Sequence, residues 1–270
     1  MRHARFDAGD GPRAGVIDGD ELVDTGSDLL AAAGGGGTDA GGGARHPLSS
    51  VRLLAPVPAP GKIICVGLNY RDHAIESGMA IPKSPITFAK FANTVVGPGD
   101  AIRLPAASVQ VDYEAELAVV IGRRAKGVSV ADALDHVLGY TCSNDVSARD
   151  LQFADGQWLR GKSQDTFCPL GPWLVTADEF GDPQRKAIAC HVNGTTLQDS
   201  TTAEMIFGVA EIIAFLSTGI TLDPGDVILT GTPVGVGFAR TPPIFLQPGD
   251  EVVVEIEGIG RLSNPVVAAP

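Results

Sequence analysis

Apolar and polar positions along the chain predict many short strands and few helices. Eight apolar runs are bounded by Gly, Pro or Asp, which favour turns: KIICVGL, ITFAKF, AELAVVIG, VLGYTCSND, GPWLVTA, IACHVNG, DVILTGTP and EVVVEIEGIG. Helical spacing is clearest in TTAEMIFGVAEIIAFLST, through Met205, Val209, Ile212, Ile213 and Leu216. We expect this helix to begin after Thr201 or Thr202 and to stop at Gly219. The pattern indicates a mixed α+β, β-rich fold with a few packed helices.

The first part of the chain differs from the rest. Residues 1–55 contain short strand-like pieces and then the glycine-rich segment AAAGGGGTDAGGGARHP, whose composition predicts a flexible loop. The segment LLAPVPAPGKIICVG opens a new unit. We therefore expect a small N-terminal domain over residues 1–55 and a larger domain over residues 56–270.

Composition narrows the function classes. The formal net charge is -12 and there is no Lys/Arg cluster, whereas nucleic-acid binding needs a basic patch. No run approaches the ~20 apolar residues of a membrane span, and the start of the chain lacks the apolar centre of a signal peptide. The cysteines form no CxxC pair and are expected to be reduced, buried thiols. These features predict a cytoplasmic protein with no nucleic-acid or membrane partner.

The stretch VDYEAELAVVIG, residues 111–122, begins with acids and ends as an apolar strand. Asp112, Glu114 and Glu116 lie at alternate positions, so an extended strand would direct them to one side. Asp145 follows another apolar strand and could reach the same place. Carboxylates without a nearby Cys or His favour Mg²⁺ or Mn²⁺, and Ca²⁺ less, over zinc. Three carboxylates and one divalent ion leave one negative charge uncompensated, and Lys162 is the candidate cation, although alone it is more typical of a solvated surface.

Seven blocks of the chain together resemble the fumarylacetoacetate hydrolase family, in its single-unit bacterial branch. They are GLNYRDHAIESG, DYEAELAVVIG, GYTCSNDVSARDLQ, RGKSQDTFCPLGPW, VNGTTLQDSTTAEMIF, LTGTPVGVG and PGDEVVVEIEGIGRLSNPV. The blocks stand in family order over about residues 56–270. The resemblance implies a rolled β-sheet fold with peripheral helices, a small N-terminal domain before the catalytic domain, and a homodimer.

The resemblance also implies roles for particular residues. Glu114, Glu116 and Asp145 would bind Mg²⁺ or Mn²⁺, with Asp112 outside the usual ligand set. A base dyad on a short mobile helix and a charge-stabilising lysine are implied at His73, Glu76 and Lys162. Contacts to the substrate are implied at Arg149, Gln152 and Thr232.

The residues themselves agree with the implied dyad. His73 and Glu76 are three apart, so they are neighbours on one helix face, and the carboxylate could raise the basicity of the imidazole. Without the surrounding motif, a solvated His/Glu pair would be the preferred interpretation. The proline-bounded segment SGMAIPKSP could let this helix close over substrate as a lid.

Two further features leave alternatives open. TGTPVGVG superficially resembles a nucleotide loop, but it lacks the GxGxxG order, and a turn that presents amides and the Thr232 hydroxyl to a carboxylate fits better. Trp158 and Trp173 are more typical of core or rim positions than of ligand stacking. A substrate-facing Trp158 stays open because this residue lies between Gln152 and Lys162.

The reaction that these features favour is metal-dependent hydrolysis of a carbon–carbon bond in a small 2,4-dioxo acid, such as an acylpyruvate or fumarylpyruvate. A metal would polarise the dicarbonyl, His73 assisted by Glu76 would activate water, and Lys162 would stabilise the oxyanion. The same enolate chemistry would serve an oxaloacetate decarboxylase or a dienoate isomerase or hydratase. A metal-stabilised, noncatalytic carboxylate-binding protein is the alternative outside enzymes, but it would not need the dyad and Lys162.

Overall fold

The chain is built mainly of β-strands, and the computed structural model describes residues 1–26, 28–33 and 42–269. The strands are β1 (Arg2–Asp7), β2 (Pro12–Asp18), β3 (Glu21–Asp24), β4 (Arg45–Pro47), β5 (Arg52–Leu54), β6 (Ile63–Gly67), β7 (Ile86–Lys90), β8 (Val95–Val96), β9 (Ile102–Leu104), β10 (Val111–Asp112), β11 (Ala115–Ile121), β12 (Val137–Asn144), β13 (Ser147–Ala148), β14 (Cys168–Thr176), β15 (Ala187–Val192), β16 (Thr195–Thr201), β17 (Val227–Leu229), β18 (Glu251–Ile256) and β19 (Gly260–Ala268). The helices are α1 (Leu29–Ala33), α2 (Arg71–Glu76), α3 (Arg149–Ala154), α4 (Leu159–Lys162), α5 (Ala177–Phe180) and α6 (Val209–Gly219). Short 3₁₀ turns lie at Leu48–Ser50, Ala92–Thr94, Ala133–His136, Thr202–Glu204 and Gly237–Ala239.

Within the described ranges, the strands form three sheets. A 12-stranded sheet follows the order β4-β3-β2-β1-β14-β12-β11-β17-β6-β7, with β5 paired to β1 and β8 to β14. A 5-stranded sheet has the order β16-β15-β18-β19-β9, and β10 pairs with β13. Each of the eight predicted apolar runs contains a strand. The predicted mixed α+β, β-rich fold is therefore confirmed.

Strand β11 lies at the centre of the large sheet and is buried at every position. It pairs antiparallel with β12 on one side and with β17 on the other. Successive side chains point to opposite faces, so Leu117 and Val119 enter one hydrophobic cluster and Ala118 and Val120 enter another. Both faces of the strand are covered, which explains why its sequence is continuously apolar rather than alternating.

The N-terminal strands continue the large sheet. Strand β1 pairs antiparallel with β14, with Arg2 opposite Val175.

The division of the chain into two domains at residue 55 stays a prediction. Of the glycine-rich segment predicted to be a flexible loop, residues 34–41 lie outside the described residues, whereas its first residues end α1 and its last three form β4. None of the helices described here has the length and apolarity needed to cross a bilayer.

Helix α6 begins later than the sequence predicts. It starts at Val209 and ends at Gly219, whereas the expected start was after Thr201 or Thr202. The preceding residues are held by the chain that leads into α2: the Ile206 amide donates to the Asn69 carbonyl at 2.7 Å. The Phe207 amide donates to the Asn69 side chain at 2.9 Å. These tertiary hydrogen bonds replace the helical ones, so the helical spacing through Met205 was misleading.

Candidate active site

The predicted site residues surround one cavity of about 100 Å³. It lies where the start of β11, the helices α2, α3 and α4 and the loop after β17 meet. Seven of the nine predicted residues line it: His73, Glu114, Glu116, Arg149, Gln152, Lys162 and Thr232. The other two contact lining residues, Glu76 through His73 and Asp145 through Lys162. The structure therefore brings all nine together.

The carboxylates of Glu114, Glu116 and Asp145 form a compact buried cluster. One oxygen atom of each lies within 4.8 Å of the others. Antiparallel pairing sets this geometry, because Ala115 at the start of β11 lies opposite Asn144 at the end of β12. The residues just outside that pair are Glu114 and Asp145, and the Asp145 amide donates to the Glu114 carbonyl at 2.9 Å. Glu116 accepts a 2.7 Å hydrogen bond from the Gly231 amide.

Two buried lysines contact this cluster. Lys162 Nζ donates to Glu114 Oε2 at 2.8 Å and to Asp145 Oδ2 at 2.7 Å, and the side chain is only 2% exposed. The surface interpretation of this lysine is therefore wrong. Lys90, which the sequence reasoning missed, pairs with Asp145 Oδ1 and donates to the Val146 carbonyl at 3.0 Å. A lysine at the end of a strand carries no sequence signal of burial, because lysines are rarely buried unless paired.

Asp112 pairs with Arg149 and lies outside the carboxylate cluster. Both Nε and a terminal nitrogen of Arg149 lie 2.8 Å from Asp112 Oδ2. Arg149 also lies 2.6 Å from Glu114 Oε1 and donates to Gln152 Oε1 at 3.0 Å. Asp112 ends β10 and β11 starts only at Ala115, so the alternating acids do not occupy one uninterrupted strand. The guanidinium supplies the positive charge that Asp112 needs.

The electrostatics of the cluster are uneven. Burial, reinforced by Asp145 and Glu114, raises the pKa of Glu116 well above its ordinary value. Burial would also raise the pKa of Glu114, but Lys162 and Arg149 outweigh it and hold that pKa at about 2. The pKa of Lys162 is raised: burial opposes the shift, and the carboxylates of Asp145 and Glu114 overcome it. Glu116 is therefore the member of the cluster with the least compensation by cations.

The donor set fits a hard divalent cation. Four buried carboxylates face three buried cations: Asp112, Glu114, Glu116 and Asp145 against Lys90, Arg149 and Lys162. With all four carboxylates ionised, the described site lacks one positive charge, and its three clustered ligands are all oxygens, which Mg²⁺ and Mn²⁺ prefer. A bound divalent ion would change the net charge of these seven side chains from one negative to one positive.

The predicted dyad is formed within α2. His73 Nδ1 lies 3.2 Å from Glu76 Oε2, and both Glu76 oxygens accept from the Gly235 amide at 3.1 Å. A carboxylate that faces Nδ1 favours a proton on that nitrogen, which leaves Nε2 as the basic nitrogen. His73 is 8% exposed and lines the cavity. The segment 77–85 after α2 has no regular structure, and its role as a lid stays a prediction.

The TGTPVGVG loop does not form a nucleotide site. Its Gly231 and Gly235 amides donate to the protein's own carboxylates, Glu116 and Glu76, rather than facing a phosphate. Gly235 has φ +100°, and a Cβ there would lie 2.1 Å from the Leu197 carbonyl oxygen, so only glycine fits. These two amides are thus used by carboxylates of the chain itself, and a contact of the loop with a substrate carboxylate stays a prediction. Thr232 remains in the cavity wall.

Aromatic side chains form a large part of the apolar cavity wall. Trp158 lies edge-on to Phe88, with ring centroids 5.3 Å apart, and a Cβ at Gly67 would lie 2.4 Å from its ring. Phe238 covers the Arg149 guanidinium at 4.4 Å and stands edge-on to His73 at 6.5 Å. Trp158 therefore faces the cavity, as the less favoured interpretation allowed, whereas Trp173 donates to the Ile259 carbonyl at 2.9 Å.

Known proteins match nearly the whole chain. Residues 62–267 match the family model "Fumarylacetoacetate (FAA) hydrolase C-terminal", and residues 1–56 match "Rv2993c-like, N-terminal". The mitochondrial oxaloacetate tautomerase fahd2 of Xenopus laevis is 54% identical over 221 residues, which cover 81% of this chain and 69% of that protein.

Two solved structures match the fold over the full length of both chains. The fumarylacetoacetate hydrolase of Exiguobacterium antarcticum superimposes with a TM-score of 0.91 at 42% identity, covering 100% of both chains. The maleylpyruvate hydrolase of Sphingobium sp. SYK-6, solved in complex with manganese(II) and pyruvate, gives a TM-score of 0.84 at 35% identity, again over 100% of both chains. Similar chains are thus enzymes that act on small molecules.

Proposed function

Because this chain belongs to the fumarylacetoacetate hydrolase family, we propose that it uses Mg²⁺ or Mn²⁺ to interconvert the keto and enol forms of oxaloacetate. The reaction moves one proton: C3 loses it, and the oxygen on C2 gains one as the double bond shifts. No other reactant is needed. Sequence reasoning favoured hydrolysis; the similarity to an oxaloacetate tautomerase shifts the preference to the enolisation step itself.

The charge of the cavity wall is the observation that supports this proposal. With its carboxylates ionised, the buried charged network at the cavity, which includes Asp112, Asp145 and Lys90 behind the wall, holds one more carboxylate than cations, and a divalent ion would leave it with one net positive charge. Since an uncompensated buried charge is costly, such a site favours a small anion over a neutral ligand. The small volume of about 100 Å³ also favours a compact substrate.

The residues around the cavity fit the steps of enolisation. A bound divalent ion would supply Lewis-acid polarisation of the 2-oxo group. His73 Nε2, with Nδ1 held by Glu76, would remove the C3 proton. Arg149 and Thr232 would hold carboxylate groups of the substrate, and Lys162 would stabilise the negative charge that develops on oxygen.

Hydrolysis of a small 2,4-dioxo acid is the second candidate. Its support is the same His73 nitrogen, which could activate water instead of carbon, and the fold shared with a maleylpyruvate hydrolase. Oxaloacetate decarboxylation and dienoate isomerisation would use the same enolate stabilisation. A carboxylate-binding protein without activity would not need the pair of His73 and Glu76.

The test follows the ultraviolet absorbance of enol-oxaloacetate as it decays, with saturating Mn²⁺ and after chelation. We expect catalysis that needs the metal and that His73→Ala lowers by on the order of 10²-fold, as for loss of a general base. His191→Ala is the matched control, since His191 lies on β15 outside the cavity and bonds Thr196. Wild-type decay at the uncatalysed rate, with pyruvate released from an acylpyruvate, would favour hydrolysis instead.

A further inference from the structure

We propose that Gln198 is a positioning residue that fixes the Thr232 hydroxyl as a hydrogen-bond donor towards the substrate carboxylate. The inference rests on the proposed function, because it assumes that an oxo acid occupies the cavity. Gln198 lies on β16, is 1% exposed and does not line the cavity. It therefore acts through Thr232 rather than by touching substrate.

The side-chain amide of Gln198 joins three groups. Oε1 accepts from the Ala115 amide at 2.8 Å. Nε2 donates to the Pro233 carbonyl at 2.9 Å and to Thr232 Oγ1 at 2.8 Å. All three contacts are buried, so the whole hydrogen-bonding capacity of the amide nitrogen is used within the protein.

The two backbone partners determine which way the amide faces. A backbone N–H only donates and a carbonyl only accepts, so Oε1 must face Ala115 and Nε2 must face Pro233. The contact between Nε2 and Thr232 therefore has one possible direction: Gln198 donates and the hydroxyl accepts. This conclusion does not depend on how the amide oxygen and nitrogen are told apart.

The consequence lies in the hydroxyl hydrogen of Thr232. Its oxygen already accepts from Gln198, and among the described residues the hydroxyl has no acceptor of its own. Thr232 is 5% exposed and lines the cavity. The hydrogen is thus available to a cavity ligand that can only accept, as a carboxylate does.

Gln198 also links this donor to the carboxylate cluster. Ala115, which it contacts, stands between Glu114 and Glu116 in the chain. One side chain thus fixes the distance between the Thr232 hydroxyl and the start of β11, where two candidate metal ligands flank Ala115. A 2-oxo acid would meet both at once, with its carboxylate at Thr232 and its oxo group near the cluster.

The experiment measures oxalate binding to Mn²⁺-saturated protein by calorimetry. In Gln198→Glu the introduced carboxylate accepts rather than donates, so the Thr232 hydroxyl turns away from the ligand. We expect oxalate to bind on the order of 10-fold more weakly, as for loss of one hydrogen bond to a charged group. KM for substrate should rise more than kcat falls, because the contact exists before and during the reaction.

A double-mutant cycle separates positioning from general structural damage. Thr232→Val removes the hydroxyl, so Gln198→Glu should cause little further loss in that background. Gln184→Glu is the matched control, because Gln184 also joins backbone groups, accepting from Val209 and donating to Thr202, but lies outside the cavity wall. Should the buried carboxylate prevent folding, Gln198→Met removes the donor without adding a charge, so the hydroxyl loses its fixed orientation and oxalate should still bind more weakly than to wild type, by less than in Gln198→Glu.

Three results would overturn the inference. The first is wild-type oxalate affinity in both Gln198 variants. The second is full additivity of the losses with Thr232→Val, which would make Gln198 merely structural. The third is a wild-type protein that binds Mn²⁺ but no oxalate, which would remove the proposed function and this inference with it.

Discussion

Replacing Asp112 with Asn should destabilise the protein although it changes only one atom. The carboxylate of Asp112 meets donors from every side: two nitrogens of Arg149 and the amides of Tyr113, Gly237 and Phe238. An amide group would point hydrogens at some of these donors whichever way it turned. Asp112→Asn would also leave Arg149 buried with only the Glu114 carboxylate as a charged partner.

The expected loss is about 3 kcal/mol in the free energy of unfolding. Removing one member of a buried ion pair costs roughly 3–5 kcal/mol, and Arg149 keeps its contact of 2.6 Å with Glu114, which places the loss at the lower end. Without Asp112, Arg149 should also lose its fixed orientation beside Gln152 in the cavity wall. Because Arg149 is a proposed substrate contact, KM for substrate should rise.

Urea denaturation of metal-free protein gives the free energy of unfolding directly. Asp155→Asn is the matched control, since it changes the same residue type in an Asp–Arg pair with Arg160 at the surface, where ion pairs contribute little. We expect no resolvable shift for this control. Equal shifts in the two variants would refute the argument that burial makes the Asp112 pair important.

Three further outcomes are expected. Glu116→Gln should weaken Mn²⁺ binding by on the order of 10-fold or more, because it removes a charged ligand from a buried site; calorimetry measures this. Mn²⁺ should bind with its full affinity at pH values above the raised pKa of Glu116, and the affinity should fall as the pH drops through that pKa, since the proton and the metal compete for the carboxylate. Binding titrations at several pH values measure this, and an affinity that does not change with pH would show that Glu116 is not a ligand. Lys162→Ala should lower turnover by on the order of 10²-fold, with circular dichroism of the metal-loaded variant unchanged; activity within a few-fold of wild type would remove Lys162 from the mechanism.

The sequence was most informative where neighbours along the chain are neighbours in space. The continuous apolar run of β11 is typical of a strand that is covered on both faces, and the interval of three between His73 and Glu76 follows from the fixed period of a helix. The strands, and with them the fold class, were predictable for this reason. The metal site was expected both from the pattern of acids and from the family resemblance, whereas the catalytic roles came mainly from the resemblance; both stay proposals.

Tertiary structure decided which charges meet. Asp112 and Arg149 are 37 positions apart, and Lys90 and Asp145 are 55 apart, so no local pattern connects them. The order and register of the strands determine such pairs, and both depend on the packing of the whole core. The late start of α6 has the same origin, because hydrogen bonds to Asn69 replaced helical ones. The sequence by itself determined the strands and the kinds of group at the site, whereas the structure determined how each buried charge is compensated, since burial is a property of the assembled fold.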